Sequence, residues 1–289
     1  LSENPIAAAP PNELWKMCAK TYPDDLTARG LLYSHAMEEA GHLVPMAATD
    51  PLPGASTPCS RCGWQPPVVT VAIVSYKTPE LAERCRESIG QPRWLDSVHV
   101  SETGEHNIGY AAALNVMLLH ATTPILIACN ADVEFPSQGV ERLLSLFDSH
   151  PELGVLGPRQ IDRRGYITHG GIDKEGDTSG GREFGQLDVA QLTEPFAEVE
   201  QVSGSVMFIR REAYEAVGGF ANMPRLYYED AILCHRMRRR GWQVAYSGSA
   251  TFLHHVAASP SDERNALAAE GRRAWADELR SDINQPHRM

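Results

Sequence analysis

No stretch of this chain approaches the roughly 18–20 uninterrupted apolar residues that a membrane-spanning helix needs, so no transmembrane segment is expected. Positive charge is scarce as well. The 26 Lys and Arg stand against 37 Asp and Glu, and a formal charge of −11 argues against a nucleic-acid partner, which calls for a basic excess. A nucleotide ligand stays open, because a few local cations or a metal ion suffice for a diphosphate. Residues 1–10 lack the basic start of a secretory signal, and the expected location is cytoplasmic. The six cysteines, at 18, 59, 62, 85, 129 and 234, follow no disulfide framework. Several sit in apolar runs, where a free thiol packs as a small hydrophobe. No internal repeat is found, and no G-x-G-x-x-G follows a candidate strand, which removes a dinucleotide-binding fold.

What is present divides near Pro66-Pro67. Residues 1–67 read as a small helical appendage and loop. Within it, 26–40 carries a loose helical period through Leu31, Leu32, His35, Ala36 and Glu39, stopped by Gly41 and Pro45. Residues 47–67 form a Pro-, Ser-, Thr- and Gly-rich connector. Cys59-Ser60-Arg61-Cys62 in that connector has half of a zinc-site spacing, and Cys18, His35 and His42 are candidates to complete a tetrahedral set. Structural Zn2+ is one expectation. The other is a plain helix that serves as a partner-binding or homo-oligomer surface.

From residue 68 to 259 the pattern alternates strand and helix, and 260–289 reads as a C-terminal helical segment. Val68-Val69-Thr70-Val71-Ala72-Ile73-Val74 is a β-branched run of the kind buried on both faces of a sheet. A helix over 79–89 sets Leu81, Cys85 and Ile89 on one face. A short strand at 98–100, a helix at 111–120 and a strand at 124–129 follow. Val140, Leu143, Leu144 and Phe147 mark a helix that Pro151 ends, and 153–156, 199–209, 243–246 and 251–253 are further strands. This order predicts an α/β fold, a mainly parallel sheet flanked by helices. Ligands of such sheets bind beyond the carboxyl ends of the strands. That rule singles out Ser75-Tyr76-Lys77, Ser101-Glu102-Thr103 and Asn130-Ala131-Asp132-Val133-Glu134.

A carboxylate at Asp132 would hold a divalent ion through oxygen ligands and so neutralise a diphosphate; taken alone, such an Asp is more often a turn or cap residue. Glu229-Asp230 opens a candidate helix over 231–240. A helix N-terminus favours an ionised carboxylate by up to about 1 kcal/mol, ready to take a proton, though the pair would also serve as a simple cap. Arg236, Arg238, Arg239 and Arg240 read as a solvated helix face, and Gly218 and Gly219 as turn residues. Gly204 precedes a strand, where a missing side chain would admit substrate closely. His169-Gly170-Gly171 reads as surface loop within a Gly-rich stretch, 165–185, and His255 competes with His254 for any site role.

Taken together, the segments carry a resemblance. Val69 to Ser75, Asn107-Ile108-Gly109-Tyr110-Ala111-Ala112-Ala113-Leu114-Asn115 and Asn130-Ala131-Asp132-Val133-Glu134 come first. Val202-Ser203-Gly204-Ser205, Val217-Gly218-Gly219-Phe220, Tyr227-Tyr228-Glu229-Asp230, Gly241-Trp242 and His254 then follow in order. Over residues 68–259 the chain resembles family 2 glycosyltransferases of the GT-A fold, in their rhamnosyltransferase-like branch. The resemblance implies an inverting, metal-dependent enzyme that moves a sugar from a UDP- or dTDP-linked donor to a hydroxyl on a glycan, lipid-linked saccharide or protein. It implies Asp132 and His254 as ligands of Mn2+ or Mg2+, and Asp230 as general base, with Glu229 next in line. Ser75, Tyr76, Glu102, Asn107, Gly109, Asn115, Asn130 and Gly204 would frame the nucleotide.

The sequence departs from that family in three places. The segment after the second strand offers only Ser101, Glu102 and Thr103, so Glu102 stands in for the usual Asp near the nucleoside. Ala221-Asn222 replaces an acidic pair, and Ile232 replaces a common Asp. Two other functions compete. A sugar nucleotidyltransferase would need a Gly-rich phosphate loop after the first strand, where Ser75-Tyr76-Lys77-Thr78-Pro79 has no glycine. A non-catalytic glycan- or protein-binding module would have no need of both Asp132 and Asp230.

Overall fold

The computed structural model describes residues 68–102, 108–119, 121–174, 176, 181–182, 184–188, 196–221, 227–255 and 264–284. The appendage, its zinc candidates Cys18, His35, His42, Cys59 and Cys62, and also Asn107 lie outside the described residues. In chain order the elements are β1 (Val69–Ser75), α1 (Pro79–Ile89), β2 (Leu95–Glu102), α2 (Tyr110–Leu118), β3 (Ile125–Asn130) and β4 (Val133–Glu134). They continue with α3 (Val140–Ser149), β5 (Leu153–Ile161), β6 (Ile167–His169), β7 (Ala197–Glu198) and β8 (Val206–Arg210). The last are α4 (Arg211–Ala216), α5 (Glu229–Arg239), β9 (Gln243–His254) and α6 (Arg264–Asn284). None of the described helices is long and apolar enough to cross a membrane.

β1 is buried along its whole length because it lies between β2 and β3, with a helix layer on each face. Its residues alternate as a strand must. Val69, Val71 and Ile73 enter the core formed with Cys85 and Ile89 of α1 and Leu143 and Phe147 of α3. Ala72 and Val74 enter the opposite core, with Leu114 and Met117 of α2 and Leu233 and Met237 of α5. The free thiols of Cys85, Cys129 and Cys234 are all buried, as small hydrophobes are.

The sheet runs β2-β1-β3-β8-β5-β9-β4, with β6 on β5 and β7 on β9. β1 is parallel to β2 and β3, and β5 to β9. β8 runs against both of its neighbours, and β4 against β9. Along that central path all strands but β8 and β4 point the same way, so the expected mainly parallel sheet is present. From β1 the chain places β2 on one side and β3 on the other, which opens a crevice beyond their carboxyl ends.

Several strands differ from their expected bounds. Of the 199–209 run only the part from Val206 on is strand, as β8; β7 precedes the run, and the chain turns through Ser203-Gly204-Ser205, where Gly204 bonds to groups outside the sheet. The 243–246 and 251–253 segments join as one strand, β9, which bulges between Ser247 and Thr251 opposite Pro158 and Arg159. That bulge lets β5 run on through Pro158, whose ring cannot donate to a regular ladder. The Gly-rich stretch expected as surface loop contributes β6, and His169 is buried there edge-on to Tyr246.

Candidate active site

Asp132 follows β3, where the chain turns into β4. The Asn130 N–H donates to the Ser205 carbonyl at 2.9 Å, and the Ala131 N–H to the Val74 carbonyl at 3.1 Å, so three strand ends are tied together. β4 then pairs with the end of β9, Val133 opposite His254. This register sets His254 Nε2 3.4 Å from Asp132 Oδ1. Asp132 is nearly buried, which by itself raises a carboxyl pKa; the His254 hydrogen bond and charge, its own N–H and His255 outweigh burial and hold it below the usual value.

His255 has a different task. Its Nδ1 accepts from Arg163 Nε at 2.7 Å, which fixes the proton on Nε2, and that nitrogen donates to Glu134 at 2.7 Å. Arg84 also binds Glu134; partial burial raises the Glu134 pKa, and His255 with Arg84 outweighs it and holds the carboxyl below its usual value. The choice between the two histidines therefore falls on His254 as the one beside Asp132. Nothing in the motif pattern marks Arg163 or Arg84, because each reaches its partner, His255 and Glu134 respectively, from a distant segment.

The second carboxylate pair starts α5. Asp230 Oδ2 accepts the Gly204 N–H at 2.7 Å and Oδ1 the Ala231 N–H at 2.8 Å. The Gly204 carbonyl in turn accepts the Tyr110 hydroxyl at 2.6 Å. One residue thus joins the start of α2, the 203–205 turn and α5. A Cβ on Gly204 would lie 3.2 Å from Asp230 Cβ and 3.3 Å from Oδ2. The missing side chain makes room for Asp230. Behind this turn Ser205 Oγ donates to Gln160 at 2.5 Å and lies 2.8 Å from Ser203 Oγ.

Electrostatics here differ from the helix-terminus argument, which alone favours ionised carboxylates. Burial dominates. It raises the Asp230 pKa against the N–H groups of Gly204, Ala231 and Asp230. It also raises Glu229, helped by the Asp230 charge, to about 8. Glu229 is buried and its Oε2 has no hydrogen-bond partner, whereas Asp230 is partly exposed with two strong donors. Of the pair, Glu229 is the member whose surroundings favour the protonated form, and Asp230 is the one whose charge would be met by donors.

The step into α5 is strained. Tyr227 and Tyr228 are both left-handed, at φ +74° and +71°, a conformation that costs roughly 1–2 kcal/mol for each side-chain-bearing residue. Such strain concentrates at functional sites.

The expected nucleotide-framing residues divide. Ser75, at the end of β1, donates to Glu102, and the Lys77 N–H donates to the other Glu102 oxygen at 2.8 Å. Glu102 thus braces the β1 turn, with Lys77 at φ +57° and Tyr76 partly exposed beside it. Gly109, at φ +91° and ψ +153°, starts α2 in a conformation open mainly to glycine. Asn130 ends β3 at the crevice, partly exposed. The Asn115 amide donates to the Phe220 carbonyl at 2.9 Å, and its oxygen accepts the Tyr214 hydroxyl at 2.5 Å and the Phe220 N–H at 2.9 Å. It braces the Gly219-Phe220 turn. The α5 arginines are not merely solvated. Arg236 pairs with Glu278, Arg238 with Glu200, and Arg240 with the Ala216 carbonyl.

The sequence profile of the family described as "Glycosyl transferase family 2" matches residues 75–218. The O-antigen biosynthesis protein RfbC of Myxococcus xanthus is 26% identical over 174 residues, 58% of this chain and 14% of that protein. An N-acetylglucosaminyl-diphospho-decaprenol L-rhamnosyltransferase of Mycobacterium tuberculosis is 29% identical over 197 residues, 60% of this chain and 64% of that one. The chain thus spans less than two thirds of either relative. Among solved structures, a mannosyltransferase of Pyrobaculum calidifontis in complex with GDP-Man and Mn2+ matches at a TM-score of 0.51 and 17% identity, over 95% of this chain and 77% of the other. The fold is of the GT-A type.

Proposed function

The chain belongs to glycosyl transferase family 2, and on that premise we propose that it transfers a sugar, with inversion, from a nucleotide-sugar to an acceptor hydroxyl. The observation that carries the reading is the 203–205 turn, which links Asp230 through Gly204 to the Asp132 edge through Ser205 and Asn130. One displacement needs charge stabilisation on the leaving side and a base on the acceptor side. Asp230, ionised and partly exposed, takes the proton of the acceptor hydroxyl as its oxygen bonds the anomeric carbon. The bond to the nucleoside diphosphate breaks on the other side. Glu229 stays protonated beside it, so the site does not carry two buried negative charges.

Asp132 and His254 fit a divalent ion, since a carboxylate oxygen and an imidazole nitrogen face each other across 3.4 Å. Among the described residues no group of three or more His, Cys, Asp or Glu gathers. Two protein donors suit Mn2+ or Mg2+, which take their remaining ligands from phosphate and water. Bound there, the ion would neutralise charge on the departing diphosphate. Ser75, Tyr76, Glu102, Gly109 and Asn130 border the crevice proposed for a UDP- or dTDP-linked donor. The acceptor is a hydroxyl of a glycan, a lipid-linked saccharide or a protein.

The test is a screen of UDP-, dTDP- and GDP-sugars with Mn2+ or Mg2+, reading nucleoside diphosphate release and the anomeric configuration of the product. Inverted product supports the reading. Binding without release from any donor would favour the non-catalytic module, and retained configuration would overturn the single displacement.

A further inference from the structure

The strained Tyr227-Tyr228 step needs something to hold it, and the contacts that do so come from the far end of the chain. Gly271 of α6 packs directly on the step. A Cβ there would lie 2.6 Å from the Tyr227 carbonyl oxygen and 3.0 Å from Tyr228 Cδ2. The carbonyl of Tyr228 accepts the Ile232 N–H at 2.9 Å, which starts α5. Seven residues on from Gly271, Glu278 grips Arg236 of α5 with both oxygens, at 2.6 and 2.8 Å. Between them Trp275 meets the His235 ring edge-on, centroids 5.4 Å apart, and packs with Tyr228 against the core. Three successive turns of α6 thus bear on the first two turns of α5. The spacing matches one helix face, as residues three and four apart share a side.

We propose that α6 is a positioning element of the active site: Gly271 and Glu278 hold the left-handed Tyr227-Tyr228 step, and the step aims Asp230 at Gly204. The inference rests on the reading of Asp230 as the base. Gly271 is required because only a residue without Cβ lets the helix backbone reach the Tyr227 carbonyl. Glu278 is required because a bidentate guanidinium–carboxylate pair fixes orientation as well as distance. Neither residue touches substrate. Their effect is on where the Asp230 carboxylate stands, and a small displacement of a reacting group lowers turnover without touching donor binding.

The test uses the full chain with Gly271→Ala, Glu278→Gln and Asp230→Asn. Three quantities are read: hydrogen exchange at the Gly204 and Ala231 amides by NMR, nucleoside diphosphate release from UDP-, dTDP- and GDP-sugars, and UDP binding with Mn2+. In Gly271→Ala the two amides exchange roughly 10-fold faster and release falls roughly 10-fold or more, with UDP affinity within about 2-fold. Glu278→Gln, which keeps the shape of the side chain, moves the same quantities in the same direction by less. Unchanged exchange and release in a folded Gly271→Ala overturn the proposal. Should that variant fail to fold, unchanged values in Glu278→Gln overturn it equally. Normal release in Asp230→Asn removes Asp230 as the base, a separate failure, because the amide exchange still reports whether α6 holds the step.

Discussion

Replacing Glu229 by Gln isolates the buried proton that sets the charge of the site. Glu229 is 6% exposed and its pKa stands at about 8 against an ordinary 4.5. Between those two values the unfolded chain has released the proton and the folded chain keeps it. The folded state therefore loses stability as pH rises through that window, by about 1.4 kcal/mol per pH unit for one proton. At pH 7 the interval above 4.5 is about 2.5 units, or roughly 3 kcal/mol. Gln keeps the shape of the neutral acid and does not titrate. Urea unfolding of both proteins at about pH 5.5, 6.5 and 7.5, at fixed ionic strength, gives the difference directly. The variant should gain on the wild type by about 1.4 kcal/mol per unit across that range, with turnover at neutral pH kept within a few-fold. A pH-independent difference would refute the buried-proton argument. Collapse of turnover would make Glu229, not Asp230, the base.

Asp132→Ala should weaken binding of UDP with Mn2+, as should chelation of the ion in the wild type. Unchanged affinity under both conditions would remove Asp132 from the donor site. Gly204→Ala places a Cβ 3.2 Å from Asp230 Cβ, so turnover should fall while UDP affinity holds; steady-state kinetics against calorimetry separates the two. If Cys59 and Cys62 hold zinc, elemental analysis should find about one zinc per chain, and Cys59→Ser should lose it. Zinc-free protein that stays folded after the substitution would leave residues 1–67 as a packing element.

The α/β order was legible because the central strands are uniform. The β-branched run of β1 can only be a strand buried on both faces, and α1 and α3 show their buried stripes in Cys85, Ile89, Leu143 and Phe147. Legibility falls where tertiary bonds override local pattern. The apolar run at 199–209 reads as one strand, yet the Gly204 peptide leaves the ladder for Asp230 and Tyr110. Pro158 argues against a strand in sequence, and only the β9 bulge opposite makes it acceptable. The same division holds at the site. Asp132, His254, Glu229 and Asp230 stand in local motifs. The bonds of Asn115 to Phe220 and of Glu102 to Lys77 are not legible in the sequence, because those partners are fixed only by the fold. Arg163 and Gln160 carry no local signature at all.

The most direct test of the account is Asp230→Asn. The amide keeps the size of the side chain and an oxygen for the Gly204 N–H, but it does not take a proton. Turnover with the donor that the wild type uses should fall by roughly 10²-fold or more, while affinity for UDP with Mn2+ stays near the wild-type value because the group acts in the transition state. Near-normal turnover in that variant would contradict the assignment of Asp230 as the base that makes this chain a transferase.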